Sequence, residues 1–183
     1  MAFRSTPDRW GSLTRVLHWL MFALLLGIIP VGFFMSDLPL GAQKMKLYAL
    51  HKSVGITILG LAALRLAWRA TEHRPAAAPM PPWQTWVAGL TQLLMYALLF
   101  AIPLSGWVYN SAAGFPLPWF GLVRLPALVH ADPALKAAAK EVHEAGVWLL
   151  MVLVALHIGG ALKHHFVDRD DTLRAMLPFG GRR

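Results

Sequence analysis

Eight of the 183 residues are histidine and none is cysteine. Four of the histidines, His18, His51, His143 and His157, fall inside or at the ends of long apolar runs. An ionisable side chain costs free energy in such a setting and marks function by default; the plain alternative is a neutral histidine hydrogen-bonded between helices. Their spacing adds to their number. His18 sits about one turn into the first apolar run, and His51 stands near the start of the second. In the last run His143 comes first and His157 follows 14 residues later, which on a helix is about 21 Å further along and within roughly 40° of the same face. His18 therefore matches His157 in depth, and His51 matches His143. Two imidazoles facing each other are what a b-type haem requires, one axial nitrogen from each side of the iron. Without cysteine there is no thiolate site, iron–sulfur cluster or covalent haem attachment. A zinc, copper or iron-only centre gathers its ligands to one point, whereas two separated pairs do not. The expectation is two haems b, held by His18 with His157 and by His51 with His143.

Long helices must carry these residues. Apolar residues make up 57% of the chain and charged residues only 14%, against about 25% charged in an ordinary soluble domain. Four runs, at about 13–35, 47–68, 87–109 and 142–162, are long enough to cross a hydrocarbon core of about 30 Å. Only helices and closed barrels satisfy their backbones in lipid, and uninterrupted apolar runs are helical. The reading is an all-α transmembrane four-helix bundle forming one domain over residues 1–183. The first run is too long for a signal peptide and lacks a small-residue cleavage site. The segment containing Arg74-Pro75 and Pro79-Met80-Pro81-Pro82 reads as non-helical, and the one containing Gly114, Pro116, Pro118, Pro126 and Pro133 as a long loop.

The net charge of +8 belongs at membrane edges rather than on a phosphate-binding face, and no nucleic-acid partner is expected. Eleven basic residues (Arg4, Arg9, Arg15, Arg65, Arg69, Arg74, Lys163, Arg169, Arg174, Arg182 and Arg183) fall on the side of the termini. Six (Lys44, Lys46, Lys52, Arg124, Lys136 and Lys140) fall on the other. That split puts both termini in the cytoplasm. Trp19, Trp68, Trp83, Trp86, Trp107 and Trp119 cluster near span ends as interfacial anchors do. Gly55, Gly146 and Gly160 lie close to the histidines, where they serve either close approach of a flat macrocycle or helix packing.

With these residues in place the chain resembles the bacterial cytochrome b561 family over nearly its whole length. The resemblance rests on Leu17-His18-Trp19, Leu50-His51-Lys52-Ser53-Val54-Gly55 and Ile102-Pro103-Leu104-Ser105-Gly106-Trp107. It continues in Val142-His143-Glu144, His157, Lys163-His164-His165-Phe166 and the tail Asp170 to Pro178. It implies the same two ligand pairs, in a bacterial inner-membrane protein. One departure is Arg9-Trp10, where the family commonly has Arg-Tyr; this touches packing near the inner haem rather than ligation.

The resemblance further implies oxidation of superoxide at the outer, periplasmic face and transfer of its electrons to ubiquinone in the membrane. Basic groups at an outer mouth attract a small anion; Lys52 adjoins His51 and is the leading candidate, solvated loop lysines being the plain alternative. On the inner side His164, seven residues after His157, shares its helix face and is the candidate quinone residue, with Arg15, Arg65, Lys163 and His165 ranked below it. His73 and His130 read as surface residues. Two other functions stay open. One is a cytochrome b subunit passing electrons between a periplasmic oxidoreductase and quinone, docking through the Ser111–Lys140 loop; the other is a haem-free scaffold or proton-relaying transporter.

Overall fold

The structure, a computed structural model, describes residues 2–7, 9–73, 75–76 and 78–177. The basic residues Arg74, Arg182 and Arg183 and the tail residue Pro178 lie outside the described residues. Four long helices dominate: α1 Ser12–Asp37, α2 Ala42–Thr71, α3 Pro82–Ala112 and α4 Pro133–Lys163. All four are long and apolar enough to cross a membrane. Each outruns its apolar run, because hydropathy marks only the stretch in hydrocarbon while intrahelical hydrogen bonding continues into the polar zone.

The starts of α3 and α4 show how. Pro82, expected in non-helical chain, opens α3, where a missing N–H costs nothing and the fixed φ suits a helix. Likewise Pro133 opens α4 behind Asp132, whose Oδ1 accepts from Ala134 N–H at 2.8 Å and Leu135 N–H at 3.1 Å. This N-cap starts α4 well before Val142 and shortens the loop ahead of it. At its other end α4 widens into a π-helical turn, His164–Asp168, closed by Arg169 in the left-handed region at φ 56°. A short helix, α5 Thr172–Met176, follows.

The all-α expectation needs one correction. Leu117–Trp119 (β1) and Val123–Leu125 (β2) pair antiparallel, Leu117 opposite Leu125 and Trp119 opposite Val123. Phe120 and Gly121 both have positive φ, at 49° and 73°, in a turn closed by Leu122 N–H to Trp119 O at 2.9 Å. Glycine adopts that backbone freely but phenylalanine does not. Phe120 is held there by its N–H, which donates to Ser53 Oγ at 2.9 Å. The prolines of this segment point to an irregular loop, but Pro118 sits on an edge strand of a two-stranded pairing, where one missing N–H is tolerated.

Contacts divide the chain into two compact units. One comprises Met21–Ala62 and Leu98–Leu149. Its core is Met21, Ile58, Ala62 and Leu99, wrapped by Leu24, Leu25, Ile28, Val54, Leu61 and Phe100. The hairpin is pinned to α2 here, through Ser53 and through Trp119 Nε1, which donates to Thr57 Oγ1 at 3.1 Å. The other unit comprises Met1–Leu20, Ala63–Ala97 and Leu150–Arg183. In it α1 and the segment before it cap the end of α5: Arg9 and Arg15 donate to Leu177 O at 3.2 and 3.1 Å, and Trp19 Nε1 donates to Met176 O at 2.9 Å. These side chains satisfy carbonyls a helix end leaves without intrahelical partners.

Only 11–17% of the most apolar window of each span is buried within the chain. Leu26, Phe34, Leu93, Trp148, Val152 and Leu156 are all more than half exposed, as suits side chains whose solvent is lipid. Ala62 is the tightest position of the small core, with no exposed surface. Ala62→Leu should therefore cost about 1–3 kcal/mol through overpacking and lower the thermal midpoint of the detergent-purified protein. Gly60→Ala, whose methyl would meet nothing within 4 Å, should leave that midpoint unchanged or slightly raised.

Candidate functional site

In the first unit, α2 and α4 bring His51 and His143 face to face, ring centroids 6.2 Å apart and planes at 65°. His143 Nδ1 lies 2.8 Å from Ile102 O, which can only accept, so the ring N–H is on Nδ1 and Nε2 keeps its lone pair. Ser105 Oγ donates to the same carbonyl at 2.8 Å. This is the arrangement of a metal-binding histidine, oriented by an acceptor behind it. His51 Nδ1 is buried without a hydrogen-bond partner. Two glycines make room for the rings. A Cβ on Gly32 would stand 3.0 Å from His51 Cε1, and one on Gly106 3.0 Å from His143 Cε1.

In the second unit α1 and α4 oppose His18 and His157, with centroids 6.1 Å apart and planes at 62°. Behind His18 stands a donor instead of an acceptor: Arg65 Nη2 lies 2.9 Å from His18 Nδ1. Arg65 and Arg69 both lie over the Tyr96 ring, each guanidinium carbon 5.5 Å from its centroid. Arg69 also donates to Gln92 Oε1 at 3.4 Å. Trp19 packs edge-on to His18 at 5.4 Å.

A metal–imidazole bond is about 2 Å long. Two such bonds in line, with the distance from each nitrogen to its ring centre, separate the centroids by about 6 Å. Both pairs have that spacing, and both are wider than direct hydrogen bonding between rings would leave them. The donor set, two neutral nitrogens among apolar side chains, suits haem iron.

The remaining candidates sit at the ends of helices. Lys52 does not point freely into solvent: its ammonium donates to Asn110 Oδ1 at 3.1 Å and Pro116 O at 3.3 Å, tying α2 to the approach of the hairpin. His164 lies at the start of the π-helical turn, with Nδ1 2.6 Å from Asp170 Oδ2 and 3.3 Å from Asp168 Oδ2. Lys163 Nζ also holds Asp168, at 2.6 Å. His165 Nδ1 is buried without a hydrogen-bond partner. His73 and His130 are exposed. Trp83 and Trp86 are exposed, as anchors are, whereas Trp68 donates to Thr14 Oγ1 and Trp107 to Pro126 O. Of the three flagged glycines, Gly55 and Gly160 face open space, while Gly146 packs on Ile102, which makes it a helix-packing residue.

Residue types alone missed Gly32, Gly106 as a neighbour of His143, and Ser105 beside Ile102 O. Gly106 and Ser105 stand in the quoted Ile102–Trp107 motif, so the signal was present without a direction. Arg65 was visible only as a low-ranked quinone contact.

Comparison with known proteins agrees with this layout. A family model described as prokaryotic cytochrome b561 matches residues 9–179. The chain is 35% identical over 179 residues to "Cytochrome b561 homolog 2" of Escherichia coli K12, covering 97% of this chain and 95% of that protein. It is 28% identical to "Cytochrome b561 homolog 1" of the same organism over 173 residues, 93% of this chain and 98% of the relative. It is 30% identical over 176 residues to "Probable superoxide oxidase CybB" of Yersinia pestis, 93% of this chain and 96% of the relative.

The corner at His164 carries a pH dependence. Burial pushes the Asp170 carboxyl up, but hydrogen bonds from the Thr172 side chain and backbone and from His164 outweigh it and hold the group below its ordinary value. A carboxylate lowered in the folded state stabilises the fold above its unfolded pKa of about 3.9, and that contribution disappears as pH falls through the folded value. Amide protection in α5 should thus fall below about pH 4, modestly, because the carboxyl keeps some contact with solvent. In Asp170→Asn the protection should be lower at neutral pH and lose this acid step, as read by hydrogen exchange.

Proposed function

The chain belongs to the prokaryotic cytochrome b561 family, whose members bind haem b in the membrane for electron transfer, and on that premise we propose that it carries two haems b and oxidises superoxide. His18 and His157 would hold one haem and His51 and His143 the other, within a single domain over residues 1–183. The observation that carries this reading is the matched spacing of the two imidazole pairs, 6.1 and 6.2 Å between centroids. Each haem supplies one-electron chemistry. Side chains supply the rest: Ile102 O and Ser105 orient His143, Gly32 and Gly106 admit the rings, and apolar neighbours exclude water.

The proposed location is the bacterial inner membrane with both termini cytoplasmic, which puts the hairpin and Lys52 on the periplasmic side. There the ammonium of Lys52, fixed by Asn110 and Pro116 O one residue from His51, contributes positive potential for an arriving anion, with Lys44, Lys46, Arg124, Lys136 and Lys140 on the same side of the membrane. The printed name of the Yersinia pestis relative supports superoxide as that anion. Two superoxide ions each lose one electron to leave two O2, and ubiquinone gains the two electrons with two protons to form ubiquinol. His164 is the proposed quinone residue. Its Nδ1 is engaged by Asp170, which leaves Nε2 as the nitrogen to hydrogen-bond a quinone carbonyl. A second reading, electron transfer from a docked periplasmic protein, draws on the hairpin tip, where Leu122 is 78% exposed.

Pyridine haemochrome assay of the detergent-purified chain should give two haems b per polypeptide, with one lost in His51→Ala and one in His157→Ala. A single haem would leave one pair structural, and none would return the histidines to packing or proton transfer. Stopped-flow oxidation of superoxide by the purified chain separates the two readings, since a docking carrier is inactive alone. Lys52→Ala should slow that oxidation on the order of a few-fold at low ionic strength, the difference fading as salt rises. His164→Ala should abolish ubiquinone reduction while leaving haem content intact.

A further inference from the structure

The two imidazole pairs differ in what stands behind the rings. His143 has a carbonyl acceptor at Nδ1, the usual partner of a histidine that gives Nε2 to a metal. His18 has the Arg65 guanidinium, 2.9 Å from Nδ1. Guanidinium has five donors and no acceptor, and it stays charged at any physiological pH. Two consequences follow. Nδ1 is covered, so Nε2 is the nitrogen His18 has to offer. With Nε2 on iron the ring proton moves to Nδ1, two donors then face each other, and Arg65 can no longer serve as the partner that orients the ring.

Its charge nevertheless stays close. Arg65 lies over Tyr96, which it shares with Arg69, and this cation–π contact holds the guanidinium in place when the hydrogen bond to His18 is given up. A fixed positive charge in a poorly screened setting favours the state with one more electron nearby.

We propose that Arg65 is the electrostatic partner of the haem that His18 and His157 would hold, and that its charge would raise that haem's reduction potential. The proposal rests on the two-haem reading above. Arg65 acts on the haem and its ligand through charge, apart from any role as a quinone contact.

The test is an optical potentiometric titration of the full-length protein in detergent. The relevant haem is first assigned as the spectral component lost in His157→Ala. Arg65→Gln should lower the midpoint potential of that component and leave the other unmoved, while Arg65→Lys, which keeps the charge, should fall less. Because Arg65→Gln removes a part-buried group, Gln92→Glu provides an independent arm. It places a carboxylate beside Arg69 at nearly constant shape, and it should lower the same midpoint by a smaller amount with both haems retained. An unchanged midpoint in Arg65→Gln overturns the proposal, as does an unchanged midpoint in Gln92→Glu should Arg65→Gln lose its haem. A wild type without two haems, or a His157→Ala protein that keeps both, overturns the two-haem reading instead.

Discussion

An imidazole inside a lipid-facing helix must find its partners within the chain, and this constraint organises the structure. Lipid offers no hydrogen bonds, so each ring is set against a second ring at the same depth. The two His–His pairs share a spacing and differ in what stands around the rings. Around His51 and His143 the supports are a backbone carbonyl, a serine and two glycines. Around His18 and His157 they are an arginine, a tyrosine and a tryptophan. The first set orients a ring, and the second places one positive charge beside a ring.

Little apolar packing is available to do this positioning. Each span buries a small share of its apolar surface within the chain, and the compact core around Met21 and Ala62 is a handful of residues. Directional bonds near the helix ends carry much of the specificity instead. Ser53 is buried, with Oγ donating to Ala49 O at 2.8 Å and accepting from Phe120 N–H, so a single hydroxyl anchors a hairpin two residues from His51. Asn110 is buried as well, taking the Lys52 ammonium and donating to Phe115 O at 2.8 Å. At the terminal end, Arg9, Arg15 and Trp19 secure the last carbonyls of α5, which keeps the chain following His164 in a fixed course.

That course sets the surroundings of His164. The π-helical turn and the left-handed Arg169 fold the chain back so that Asp170 reaches His164, six residues earlier. On an uninterrupted α-helix those two side chains would point in different directions. The turn thus creates a carboxylate–imidazole pair at the end of a span, in keeping with the functional use of π-helical segments elsewhere.

Some of this was readable from the chain itself. Hydropathy located the four spans because apolar run length is set by bilayer thickness, a constraint that acts on each segment alone. Counting along the helices gave His18 and His157 one depth, and His51 and His143 another, since rise per residue is fixed; the rings that share a depth are those that face each other. The helix starts at Pro82 and Pro133, the hairpin beyond α3 and the π-helical turn were not readable. Each depends on capping or on bonds to distant residues, such as Asp132 with Ala134, or Ser53 with Phe120. Above all, the sequence lists Arg65, Ser105, Gly32 and Gly106 without saying which side of which ring they meet. Hydropathy and periodicity encode depth and face. The partner at each Nδ1 is a matter of direction between helices, and only the tertiary structure decides it.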